Sequence, residues 1–190
     1  MTRLMIALMI VLMLPSEVSG RQTGASLSYR LGGHDLVLNG YGTREVLWID
    51  VYRAALYLPA PSSTPRRIIE YPEPKLILIE VLMDDIPDEM PSDWRPTLES
   101  NMRPASFARL VSAYATLAKG DVLAFGYTPE AGSEIYVNGD LVLREPGYAL
   151  MRGLLAQWLG SDPVSPSLKD ALTDPVYGRY TAEAEAAAAQ

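Results

Sequence analysis

The chain has no cysteine and a single histidine, His34, among its 190 residues. These shortages remove several mechanisms at once. A cysteine nucleophile, a CxxC redox pair and a histidine-based zinc site are unavailable. A Ser-His-Asp triad would have to use His34, and no serine sits in a GxSxG elbow to serve it. His34 follows Gly32-Gly33, which reads as a turn, so it is expected at the surface. There is no glycine-rich phosphate loop, because Gly32-Gly33 and Gly40-Tyr41-Gly42 lack the following helix that a dinucleotide site needs. Without disulfides, the core alone must hold the fold. Positive charge is also scarce: 16 Lys and Arg stand against 23 Asp and Glu, for a net charge of −7. Such a chain has no basic footprint for nucleic acid and is repelled by anionic lipid. The acidic group Asp84, Asp85, Asp88 and Glu89 matches no EF-hand spacing and reads as a solvated loop. No cofactor and no metal is therefore expected.

Long apolar runs are missing except at the start, where Leu4 to Leu14 follows Arg3 and ends before Pro15. This is the layout of a secretory signal peptide, and the run is too short to span a bilayer as a helix. Val18-Ser19-Gly20 suits cleavage after Gly20, with Thr23-Gly24-Ala25 as a second site. Residues 1–20 are thus expected to be a leader, giving a periplasmic or secreted protein with no stable membrane anchor once it is removed. Residues 21–175 form one domain of a size that suits a single core, and the Ala/Glu-rich residues 176–190 form a flexible tail. Losing residues 1–20 removes Arg3 and Glu17 and leaves the charge at −7.

What remains is patterned as strands, then helices, then strands, then helices. Leu27 to Leu31 and His34 to Leu38 alternate around Gly32-Gly33 as a short strand pair. Val46 to Leu58 reads as the longest strand, with Leu47, Ile49, Val51 and Ala55 on one face and Arg44, Trp48, Asp50 and Tyr52 projecting to the other. Thr64 to Glu70 is a short helix with Pro65 at its first position. Leu76 to Met83, almost wholly Leu, Ile and Val, implies a central strand covered on both faces. Helical spacing recurs over Asp93–Met102, from Pro104 to a stop at Gly120, and over Tyr148–Leu159. Asp121 to Tyr127 and Ser133 to Arg144 supply three strands, two of them turning on Asn138-Gly139. Ser165 then caps a last short helix. Tight turns between the strands argue for a large antiparallel sheet with helices on one face, an α+β fold.

Two segments resemble a known family. Leu38-Asn39-Gly40-Tyr41-Gly42-Thr43-Arg44 lies near the front. Near the end, the Asn138-Gly139 strand pair leads to a helix closing in Trp158-Leu159-Gly160 and then to Asp162-Pro163-Val164-Ser165-Pro166-Ser167-Leu168-Lys169. In order and spacing these are similar to the bacterial chalcone isomerase-like family. The resemblance implies an open-faced β-sandwich, with a layer of helices over a large antiparallel sheet. In plant chalcone isomerases an arginine just after a Gly-x-Gly turn stabilises a developing enolate, and Arg44 matches it. Asn101 matches a substrate-contacting asparagine on a helix. Tyr52 replaces a threonine that orders water, Trp94 replaces a tyrosine, and Gln157-Trp158 replaces a hydroxyl residue and its apolar neighbour. The segment from Arg44 to Tyr52 is also shorter than in the plant enzymes.

The candidate ligand-binding residues are therefore Arg44, Trp48, Tyr52, Trp94, Asn101, Gln157 and Trp158, with Arg44 catalytic if the chain is an enzyme. Three functions stay open. A non-catalytic binder would hold a fatty acid or similar apolar carboxylate at Arg44, as non-catalytic relatives of the isomerases do, because guanidinium pairs bidentately with carboxylate. An intramolecular lyase or isomerase would act on a chalcone-like enone. An envelope scaffold or assembly factor would keep a vestigial cleft, filled by Trp48 and Trp94, with Arg44 paired to Asp50 or Glu99. The departures at Tyr52, Trp94 and Gln157 weigh against flavonoid catalysis. The sequence names no protein partner.

Overall fold

The structure, a computed structural model, describes residues 26–175 except Asp88 and Asp93. The expected leader at 1–20 and tail at 176–190 lie outside the described residues.

Seven strands form one antiparallel sheet in which each pairs only with its chain neighbours: β1 (Ser28–Leu31), β2 (His34–Val46), β3 (Ile49–Leu58), β4 (Lys75–Val81), β5 (Val122–Thr128), β6 (Gly132–Val137) and β7 (Asp140–Glu145). Helix α1 (Pro65–Glu70) joins β3 to β4, α2 (Arg95–Asn101) and α3 (Pro104–Tyr114) join β4 to β5, and α4 (Ala149–Leu159) and α5 (Pro166–Leu172) follow β7. The sheet curls into a half-barrel. Leu31 of β1 thus lies against Gly126 of β5, with three strands between them in the sheet, where an added Cβ would stand 3.0 Å from the leucine methyl.

Strict alternation divides the core in two. Tyr52, Ala54, Leu56, Ile77, Ile79, Leu123 and Phe125 point toward the five helices, while Ala55, Tyr57, Leu76 and Ala124 point into the half-barrel with Leu31, Leu36 and Leu38. β4 is covered on both faces, as its unbroken apolar run requires. Its one interruption, Glu80, pairs with Arg53 of β3 at 2.9 Å.

Two strand boundaries differ from the sequence expectation, since β2, expected to end at Leu38, runs on to Val46. The segment read as a single strand from Val46 begins at Ile49, because Leu47 and Trp48 form a hairpin turn with φ of +47° and +61°. Arg44 therefore sits on β2 and faces Tyr52 of β3 across the ladder instead of preceding it along one strand. The turn at Asn138-Gly139 has the same positive-φ geometry, with residues suited to it. Ser165 caps α5, its hydroxyl accepting from the Leu168 amide at 3.3 Å.

Candidate functional site

The Gly40-Tyr41-Gly42 segment of β2 exists to let α5 lie on the strand. A Cβ at Gly40 would stand 2.9 Å from the carbonyl carbon of Leu172 and closer still to the Ala171 carbonyl oxygen. A Cβ at Gly42 would stand 2.7 Å from that of Ala171. Asn39 fastens the same contact, donating to the Leu172 carbonyl at 2.7 Å. Alternation puts Arg44 on this helix-facing side, half-buried, and its guanidinium donates to the carbonyl of Val164 in the loop before α5. Glu99, one of the two carboxylates proposed as its structural partners, is engaged by Arg95 at 2.8 Å.

Opposite Arg44, the hydroxyl of Tyr52 accepts from the indole N–H of Trp158 at 3.0 Å. Trp94, at the start of α2, meets Tyr52, Phe125 and Trp158 edge-on, with ring centroids 5.9, 6.1 and 5.7 Å away. This aromatic cluster closes the space between sheet and helices. Beside it remains a cavity of about 40 Å³. Its walls are Val51, Tyr52, Ile79 and Leu123 of the sheet, Trp94, Tyr114 and Leu117 of the helical side, and Met83, Ile86 and Pro91 of the loop after β4. That volume holds a few waters, whereas a pocket for a drug-sized ligand is roughly 300–1,000 Å³.

Among the described residues no lysine, histidine or carboxylate lines the cavity. Its polar groups are tyrosine hydroxyls, and burial raises the pKa of Tyr114, keeping it a neutral donor. Such a lining can hold an apolar body and orient one oxygen; its described residues supply no general base poised near neutrality. Among the described residues no group of three or more His, Asp or Glu could hold a metal ion.

Of the seven candidates, Tyr52 and Trp94 line the cavity. Trp158 lies behind them in the core, and Arg44 flanks Tyr52 on the same side of the sheet. Asn101 and Gln157 are elsewhere, at the seam between α2 and α4. There Gln157 donates to the Thr97 hydroxyl at 2.6 Å, Asn101 donates to the Thr97 carbonyl at 2.8 Å, and Gly153 permits the close approach. Trp48 does not enter the cleft: it stands at the hairpin tip, 86% exposed. Sequence reasoning missed two cavity walls: Met83, which reads as the end of the apolar strand, and Ile86, an apolar residue inside a stretch whose acidic composition reads as solvated loop. It also missed Lys75, fully buried beneath α1. Its ammonium donates to the carbonyls of Ile68 and Tyr71 at 2.6 and 2.7 Å and to the Tyr148 hydroxyl at 2.9 Å. Desolvation pulls its pKa down to about 8. Lys75 ties off the last carbonyls of a two-turn helix and lies outside the cavity.

The sequence model of a family described as chalcone isomerase-like matches the chain over residues 16–173. The chain belongs to the chalcone isomerase-like family. Among solved structures, the Arabidopsis thaliana fatty-acid binding protein superposes on it with a TM-score of 0.53, covering 80% of this chain and 92% of that one. At 13% identity this likeness is one of fold. No curated protein matches the sequence.

Proposed function

We propose that this chain is an exported, non-catalytic member of the chalcone isomerase-like family that binds a small apolar carboxylate such as a fatty acid. The observation that carries this reading is the pairing of Arg44 with Tyr52 across the β2–β3 ladder: it sets a half-buried cation beside a cavity whose described walls are apolar and aromatic side chains. A carboxylate would take the place of the Val164 carbonyl on the Arg44 guanidinium, exchanging a neutral acceptor for a charged, two-point one. The acyl chain would occupy the cavity beyond Tyr52 and Trp94. At about 40 Å³ the cavity must enlarge to accept it. The residues free to give way are Met83, Ile86 and Pro91, which belong to no helix or strand. The fatty-acid binding of the A. thaliana protein, which has the same fold, is consistent with this use of the architecture.

An isomerase acting on a chalcone-like enone would need Arg44 for the developing oxyanion, and the described cavity walls add no acid–base partner beside it. The scaffold reading draws on one observation, the three edge-on contacts that hold Trp94 where a ligand would lie. The experiment that separates binder from scaffold is mass spectrometry of an organic extract of the protein recovered from its host. A stoichiometric long-chain monocarboxylate is expected. An extract without lipid, from protein that also takes up none when offered it, places the scaffold reading ahead.

A further inference from the structure

The β2–β3 hairpin ends in four consecutive apolar residues that stay exposed among the described residues: Val46, Leu47, Trp48 and Ile49 are 41%, 72%, 86% and 53% exposed. Leu47 and Trp48 also hold left-handed φ values of +47° and +61°, a region that penalises any residue bearing a Cβ. The same chain closes its β6–β7 hairpin with Asn138-Gly139, the pair best suited to this turn. Neither burial nor turn geometry therefore accounts for a leucine and a tryptophan at 47 and 48. Backbone strain combined with exposed apolar bulk points to a contact made outside the chain.

We propose that this tip is a bilayer-docking element that inserts Leu47 and Trp48 into the interface of a zwitterionic membrane. A protein partner fits less well on area. A buried tryptophan contributes at most roughly 250 Å², and a narrow four-residue tip falls short of the roughly 800 Å² per side of a stable protein interface. A bilayer requires no complementary pocket, and tryptophan favours the interfacial zone. Charge selects the lipid. Glu45 and Asp50 flank the tip, and Asp84 and Asp85 line the groove beside Ile49, where Lys119 is already paired with Asp84 at 3.0 Å. With Arg53 paired to Glu80, the end facing the membrane carries no cationic surplus to attract anionic headgroups. Val51 and Met83, which line the internal cavity, lie at this same end.

The test is flotation with phosphatidylcholine vesicles, using the protein as its host produces it. Because Trp94 and Trp158 are buried, Trp48 supplies the solvent-sensitive emission. Native protein should float, with its emission shifted to the blue and quenched by lipids brominated along the chain. The double variant L47N/W48G should lose vesicle binding by at least about tenfold, since the inserted apolar area is gone. Its denaturation midpoint should rise, because Asn-Gly suits the turn, so misfolding cannot account for the loss. Trp48→Phe should keep flotation while losing the spectral signal. The proposal is overturned if native protein does not float, if it floats only with anionic lipid, or if L47N/W48G floats equally well. A tip-dependent dimer in solution that shields Trp48 would likewise overturn it, by assigning the tip to a second copy. L47N/W48G leaves Arg44 and the cavity walls untouched, so its flotation reads the tip independently of the ligand proposed above.

Discussion

The indole N–H of Trp158 on α4 donates to the hydroxyl of Tyr52 on β3 at 3.0 Å, and both side chains are buried, at 1% and 6% exposure. This bond pins the helical layer to the sheet at the edge of the cavity. Tyr52→Phe should leave the indole donor unsatisfied in the core and cost about 1–3 kcal/mol in chemical denaturation. Trp158→Ala removes the bond together with the ring contacts to Trp94 and Phe125, and should cost about 3–5 kcal/mol. A loss below about 1 kcal/mol for Trp158→Ala would contradict the packing described.

Gly40→Ala should be more damaging than its single methyl suggests. The new Cβ meets backbone atoms of Ala171 and Leu172, which cannot rotate away, so α5 must lift from β2 and strain the Asn39 bond to Leu172. A loss of about 1–3 kcal/mol is expected, the range for overpacking a filled core. At Gly42 the obstacles are the Ala171 methyl and a Leu168 methyl, so Gly42→Ala should cost less. Equal midpoints for Gly40→Ala and the native protein would refute the seating of α5.

Lys75 gives stability a pH dependence of defined sign. Its pKa in the fold is about 8 against an ordinary 10.5, so between these values the unfolded chain holds a proton that the folded one has released. Stability therefore rises with pH from about 8, by about 2 kcal/mol as pH 10 is approached. Above 10 the trend reverses. Tyr136 and Tyr148 have pKa values raised by burial, so the unfolded chain loses its tyrosine protons first and is favoured. Urea midpoints of the native protein and Lys75→Met, measured from pH 7 to 11, check this. The rise between 8 and 10 should be absent in the variant.

The arrangement of strands and helices was legible in the sequence because local chemistry and tertiary structure agree: Gly32-Gly33 and Asn138-Gly139 turn where turn residues stand, and Pro65, Pro104 and Pro166 open helices. The β2–β3 hairpin was illegible for the opposite reason. Leu47 and Trp48 carry no turn signal, so period-two alternation runs through them, and the reading merged two strand ends into one. That merger set Trp48 beside Tyr52, whereas it projects from the tip. Arg44 and Tyr52 nonetheless come together, through the ladder instead of along a strand. Asn101 and Gln157 were placed by matched position alone, and a helix–helix seam uses them for Thr97. The Ile86 wall was hidden because aspartates around it dominate the composition of its segment, and the Met83 wall because that residue reads as the end of the preceding apolar strand.

The account rests on Arg44 as the anchor for a carboxylate beside an apolar cavity, and titration with a long-chain fatty acid tests it most directly. Native protein, Arg44→Ala and Arg44→Lys would be compared side by side, with the fold of each verified by its denaturation midpoint. The native protein should bind. Arg44→Ala should lose at least about tenfold in affinity, because the charge-assisted pair is gone while the apolar contacts remain. Arg44→Lys should recover only part of the loss, since an ammonium cannot reproduce the planar two-point contact. No binding by the native protein, or equal binding by native protein and Arg44→Ala, would contradict the account.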